Sequence, residues 1–138
     1  MPENVDFRDF ESGDDALWAN VRSYCKTIQT ECSKFENLDT TLVATVMYVE
    51  SRGDSNAISG SNAIGLMQVL PDTELPGRPT KTQLLDPTFN IQTGCQILSS
   101  YIEREGSTRN GLWAYNGKGG TFESYADLVL TLYDEVRQ

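Results

Sequence analysis

Apolar positions recur along this chain mostly at intervals of three and four, the spacing of one helix face. The first stripe is Trp18, Val21, Cys25, Ile28, Cys32 and Phe35, which predicts a helix over residues 14–35 capped by Ser12 or Asp14. A second stripe, Leu42, Val43, Val46, Met47 and Val49, predicts a helix from Asp39, its cap, to about Ser51. After Asp86-Pro87 the period resumes at Phe89, Ile91, Cys95, Leu98 and Ile102 and stops at Gly106. A shorter helix follows over about 108–115. A last one over about 122–136 buries Tyr125, Leu128, Val129, Leu132 and Tyr133.

Between these stripes the pattern lapses. "RGDSNAISGSNAIG", residues 52–65, reads as a loop or small irregular strands. "QVLPDTELPGRPTKTQLLDP", residues 68–87, holds four of the five prolines and reads as connector with short helical turns at best. Nothing repeats, and no alternating run is long enough for a strand. The fold expected is mainly α, with long loops and at most a small irregular β element.

Composition narrows the picture. At 138 residues the chain fits one domain with a real core. The formal net charge of −9 argues against a nucleic-acid binder, which shows a basic stripe. Much of the excess lies early, where Glu3, Asp6, Asp9, Glu11, Asp14 and Asp15 face only Arg8. Residues 1–13 therefore read as an acidic, solvated arm, and 14–138 as a single domain. No apolar run approaches the ~20 residues of a membrane span. No basic, apolar, then small-residue start suggests a signal peptide.

The three cysteines are Cys25, Cys32 and Cys95. On one helix Cys25 and Cys32 would stand ~10 Å apart, beyond the ~7 Å a disulfide tolerates between α-carbons. Both fall on the apolar stripe, so buried free thiols are expected, with a bridge from either to Cys95 the alternative. With no histidine, a zinc site or a histidine-based triad is excluded.

Candidate chemistry begins at Glu50, which lies on or beside the apolar face of the second helix and at the mouth of the glycine-containing loop. It is either an exposed helix-end glutamate, paired with Arg52, or a carboxyl whose apolar flank raises its pKa into the range of a general acid. Arg-Gly-Asp at 52–54 has almost no specificity as an adhesion motif. "GKGG" at 117–120 lacks the glycine spacing and the Ser or Thr of a phosphate loop and reads as a turn between helices. "AYN" at 114–116 places a phenol and an amide beside that turn. Such groups bind sugar hydroxyls and acetamides, although Tyr115 could equally be core.

Taken together these pieces resemble a family. Glu50-Ser51, then Ala63-Ile64-Gly65-Leu66-Met67-Gln68-Val69-Leu70-Pro71-Asp72-Thr73, Asp86-Pro87 with Asn90-Ile91 and Gly94, and Ala114-Tyr115-Asn116 are similar to the soluble lytic transglycosylases of the lysozyme-like superfamily. The likeness covers about residues 38–136. It implies a lysozyme-like helical domain of the goose-type kind, with Glu50 as the single catalytic acid. It also implies substrate contacts from Ser51, Ser59, Gln68, Leu70, Tyr115 and Asn116, the tyrosine reaching toward the sugar and its acid. Leu70 stands where the family often has methionine, and Lys118 where it has glycine, which leaves the path of that turn open.

The implied substrate is peptidoglycan glycan strands, cut between N-acetylmuramic acid and N-acetylglucosamine. Glu50 acts first as acid and then as base, and a 1,6-anhydro end forms without water. No cofactor or metal is called for, a monomer is expected, and the place of action is the bacterial cell wall, reached from the periplasm, the outside or a phage. A goose-type lysozyme, which adds water and carries supporting aspartates after its glutamate, is the alternative, with Asp54 as its candidate. A non-catalytic glycan-binding module is the third reading.

Overall fold

The computed structural model describes residues 15–71, 79–117 and 122–137. In chain order the helices there are α1 (Asp15–Arg22), α2 (Cys25–Cys32), α3 (Thr40–Ser51), α4 (Lys81–Leu85), α5 (Pro87–Glu105), α6 (Thr108–Tyr115) and α7 (Phe122–Arg137). The mainly α expectation holds. The expected acidic arm and the caps Ser12 and Asp14 lie outside the described residues.

α3 is the centre of the bundle. Asp39 opens it by accepting the Leu42 N–H at 2.8 Å. Every residue from Thr40 to Tyr48 is buried, so the helix is covered all round rather than along one stripe. Its β-branched residues are poor helix formers. Packing against α1, α2 and α7 supplies what propensity does not. Thr45 returns its hydroxyl to the Thr41 carbonyl at 2.7 Å, which removes one buried polar group from the ledger of unpaired donors. The helix stops at Arg52, whose φ of 57° is left-handed.

The first stripe forms two helices, not one. The Ser23 hydroxyl bonds the Asn20 carbonyl at 2.6 Å, and the Tyr24 N–H tightens onto Val21 at 2.9 Å. This local competitor breaks the ladder for a turn before Cys25 resumes it, and the apolar period runs on across the break. Phe35 lies beyond α2 and packs half-buried on the core. Cys32 and Cys95 are buried free thiols in hydrogen-bond contact between α2 and α5, and that contact, with burial, pushes the Cys95 thiol up.

The connector does contain a short helix, α4, opened by a capping box in which the Thr80 hydroxyl accepts the Gln83 N–H and the Gln83 side chain accepts the Thr80 N–H. α5 begins with Asp86 as cap and Pro87 in the first turn, and ends at Gly106. The loop after α3 forms only isolated bridges, Ile58 with Ile64 and Ile64 with Val69. α5 and α6 pack as a pair, α6 meets α7, and the Tyr133 hydroxyl of α7 reaches the Asp39 carboxylate at 2.6 Å. No described helix is long and apolar enough to cross a membrane.

Candidate active site

The last turn of α3 delivers two adjacent side chains to different places. Glu50 is partly buried at the edge of the core, where Tyr125 of α7 donates its hydroxyl to Oε2 at 2.6 Å. Burial against the apolar helix faces raises the Glu50 carboxyl from 4.5 to about 7, and the Tyr125 hydrogen bond, which favours the charged form, offsets only part of that. Arg52 is turned elsewhere. Its guanidinium donates to the Tyr48 carbonyl at 2.6 Å and stacks 4.4 Å from the Tyr48 ring centroid. The acid therefore sits among phenols rather than beside that cation. The Tyr115 and Tyr125 hydroxyls are themselves pushed well up, first by burial and then by the Glu50 charge, which keeps them protonated donors.

Glu50 opens onto a cavity of about 780 Å³. One wall is the loop after α3, with Ser59, Gln68 and Leu70; the other is Tyr101 and Arg104 of α5 with Tyr115 and Asn116 at the end of α6. The Ser59 hydroxyl oxygen accepts the N–H groups of Ser61 at 3.2 Å and Ala63 at 3.0 Å, so it shapes the loop it lines. Gln68 donates its amide nitrogen to the carbonyls of Ala57 at 3.1 Å and Gly65 at 3.0 Å. Its backbone is left-handed at φ 52°. Leu70 is an exposed apolar side chain at the rim, and Asn116 is exposed as the cap of α6.

Two of the sequence-predicted substrate contacts behave differently. Ser51 is buried and is not among the cavity's lining residues; its hydroxyl donates to the Leu66 carbonyl at 2.7 Å and accepts the Gly53 N–H at 3.1 Å. Tyr115 lines the cavity, but its hydroxyl is held by the Met67 carbonyl at 2.7 Å rather than by the acid. The hydroxyl bonded to Glu50 is that of Tyr125, which the sequence pattern marks only as core.

The turn at 64–69 explains both placements. Asn90 of α5, fully buried, accepts the Met67 N–H at 2.7 Å and donates to the carbonyls of Ile64 and Leu84, each at 2.8 Å. Ser51, Asn90 and Tyr115 thus grip the backbone of Leu66 and Met67 from three helices. Gly65 turns there at φ 77°, and a β-carbon on it would come 2.6 Å from the Leu84 carbonyl oxygen. Gly94 gives Met67 its seat, since a β-carbon there would stand 2.5 Å from the sulfur.

Asp54, the candidate second acid, is exposed, accepts the Asn56 N–H at 2.9 Å in a local turn, and is not among the lining residues. No group of three or more His, Cys, Asp or Glu that could hold a metal ion occurs among the described residues.

A mainly helical fold with a carboxyl of raised pKa in an open cavity is an arrangement suited to general-acid chemistry. The Transglycosylase SLT domain model matches residues 27–129, and the chain belongs to that family. It is 41% identical over 81 residues to a protein named Transglycosylase from Enterobacteria phage PRD1, covering 59% of this chain and 30% of that one. It is 33% identical over 99 residues to the Membrane-bound lytic murein transglycosylase E of Buchnera aphidicola, covering 65% of this chain and 44% of the other. Against the Membrane-bound lytic murein transglycosylase C of Mannheimia succiniciproducens it is 37% identical over 87 residues, 56% of this chain and 24% of the relative. The matches thus span less than half the length of each of these three relatives.

Proposed function

We propose that this chain cleaves the β-1,4 bond from N-acetylmuramic acid to N-acetylglucosamine in peptidoglycan without water, leaving 1,6-anhydro ends, and that it does so as a monomer at the bacterial cell wall. The observation that carries this reading is the solitary acid. Among the described residues lining the cavity, Glu50 is the one carboxyl, and its pKa is raised to about 7. A hydrolase of the usual kind pairs two carboxyls across the scissile bond, one for the leaving group and one as nucleophile or for water.

Neutral Glu50 gives its proton to the bridging oxygen as that bond breaks. The substrate's own 2-acetamido oxygen covers the sugar carbon left electron-poor. The 6-hydroxyl of the same muramic residue then attacks that carbon, and its proton returns to Glu50, which ends the cycle in the form it began. An internal nucleophile has a high effective concentration, so no protein base for water is required. A pKa near ambient pH suits a group that must give and then take one proton.

Around that acid, Tyr125 acts as a positioning residue that orients the carboxyl. Ser51 positions Glu50 by tying the end of α3 to the 64–69 turn, which replaces its expected substrate contact. Ser59, Gln68, Leu70, Tyr115 and Asn116 form the walls along which the glycan lies. The retained acid speaks against a module that only binds.

The test is the chemical identity of the product. Purified peptidoglycan digested with the protein should yield muropeptides one water lighter than hydrolysed ones, with ends that resist borohydride. Reducible ends as the main product would replace this reading with the hydrolytic one.

A further inference from the structure

The polar side chains of the cavity are not used alike on its two walls. In the loop after α3, the Ser59 hydroxyl accepts backbone N–H groups, and the Gln68 amide nitrogen donates to two carbonyls of the same loop. At the end of α6 the Tyr115 hydroxyl is held by the Met67 carbonyl. Those groups serve the protein's own backbone.

The α5 wall differs. Ile97, Ser100 and Tyr101 line the cavity at positions i, i+3 and i+4, so their side chains leave the helix as neighbours on one face. A serine or threonine inside a helix often returns its hydroxyl to the carbonyl one turn back, as Thr30 and Thr45 do. Ser100 is exposed and makes no such bond; among the described residues neither its hydroxyl nor that of Tyr101 has a hydrogen-bond partner. The Tyr101 hydroxyl is not sealed from solvent either. Arg104 is already engaged: it pairs with Glu105 at 3.7 Å, and its guanidinium lies 4.6 Å from the Tyr101 ring centroid. It covers one face of that ring and props the phenol in place. Ile97 is half-buried and packs on the core, so it too is held from behind.

A hydroxyl can both donate and accept, so the pair suits a ligand that offers one donor and one acceptor. A ligand made of hydroxyls alone would make no use of Ile97. The 2-acetamido group of an N-acetylated sugar is one methyl, one N–H and one carbonyl. That set matches an apolar side chain flanked by two hydroxyls, with about 5–6 Å between β-carbons.

We infer that Ile97, Ser100 and Tyr101 form a subsite for one 2-acetamido group of the bound glycan, which makes α5 the wall that tells N-acetylated strands from plain glucans. This deepens the peptidoglycan reading above and rests on it. The methyl lies on Ile97, one hydroxyl donates to the amide carbonyl, and the other accepts the amide N–H. A sugar without that group leaves both hydroxyls unmatched, which is how such a wall discriminates.

The experiment measures equilibrium binding by the full chain carrying Glu50→Gln, so that no ligand is consumed, with and without Ser100→Ala and Tyr101→Phe together. Tyr101→Phe keeps the ring under the guanidinium, and thermal melting checks that the fold is kept. Three β-1,4-linked tetrasaccharides are titrated: a peptidoglycan fragment, chitotetraose, and cellotetraose, which carries hydroxyls in place of the acetamido groups. The double substitution should weaken both N-acetylated ligands about tenfold, the effect of losing two neutral hydrogen bonds. Each single substitution should account for about threefold, so the result does not hang on the double variant. Cellotetraose, the weaker ligand from the start, should change by less than about twofold. Equal weakening on all three ligands, or no change on any, overturns the subsite and leaves the enzyme reading standing. So does a starting chain that binds chitotetraose and cellotetraose equally well. If the Glu50→Gln chain binds neither N-acetylated ligand, the peptidoglycan reading falls and the subsite with it.

Discussion

Replacing Glu50 by Gln should destroy activity and, above neutral pH, make the protein more stable. In the unfolded chain the carboxyl ionises near its ordinary 4.5, whereas in the fold it stays neutral up to about 7. Between those values the native state holds the extra proton, so stability falls as pH rises through the window. At 1.36 kcal/mol per pH unit, the full loss is at most about 3 kcal/mol by pH 8, trimmed by the part of the side chain that remains solvated. Gln has no proton to lose, and its carbonyl oxygen can still accept the Tyr125 hydroxyl. The variant's advantage over the wild type should therefore be smallest below pH 4.5 and grow to its plateau above pH 7. Urea unfolding of both proteins at unit pH intervals from about 4 to about 9 reads this directly. At the plateau it corresponds to a melting shift on the order of 10 °C. A stability difference that stays constant across that range would refute the raised pKa, and with it the account of how one carboxyl serves as acid and then base.

Tyr125→Phe removes a donor that favours the charged carboxyl, so the alkaline limb of the kcat/KM profile, set by Glu50 near 7, should move up by about one pH unit; an unmoved limb would make Tyr125 mere packing. Asn90→Ala leaves the Met67 N–H and the carbonyls of Ile64 and Leu84 without their partner, and should cost about 3 kcal/mol in urea unfolding. A cost below about 1 kcal/mol would mean that the turn holds itself. Thiol titration of the unfolded, unreduced chain should count all three cysteines, and one alone would reveal a bridge between Cys95 and the first two helices.

Most of the helical frame was legible because its signals are local. Asp39 and Asp86 cap where side-chain oxygens meet free N–H groups, and Gly106 ends α5 where a left-handed residue is needed. The break at Ser23-Tyr24 was not legible, since the apolar stripe passes through it unchanged while a single hydroxyl redirects the backbone. The acid was readable from its apolar flank and its motif. Its partner was not: a tyrosine at a core position in α7 has the same sequence signal whether its hydroxyl finds water or an acid 75 residues away. One general cue exists, that a buried phenol must be paired, and a half-buried lone carboxyl is a natural partner. Ser51 stands apart for a related reason, since its hydroxyl turns into the fold and away from the cavity that Tyr115 lines. A motif fixes which residues stand near a site, not which of their atoms face it.

The grip on the 64–69 turn has a kinetic consequence. Ser51, Asn90 and Tyr115 hold main-chain atoms, so side chains along that turn can change while its path stays fixed. Freeing the path means breaking bonds to three helices at once, an event close in cost to opening the bundle. The Met67 amide should accordingly exchange with deuterated water only through global unfolding, orders of magnitude more slowly than the amides of the exposed 60–62 tip. On that wall the cavity is shaped before any ligand arrives, a rail that does not yield.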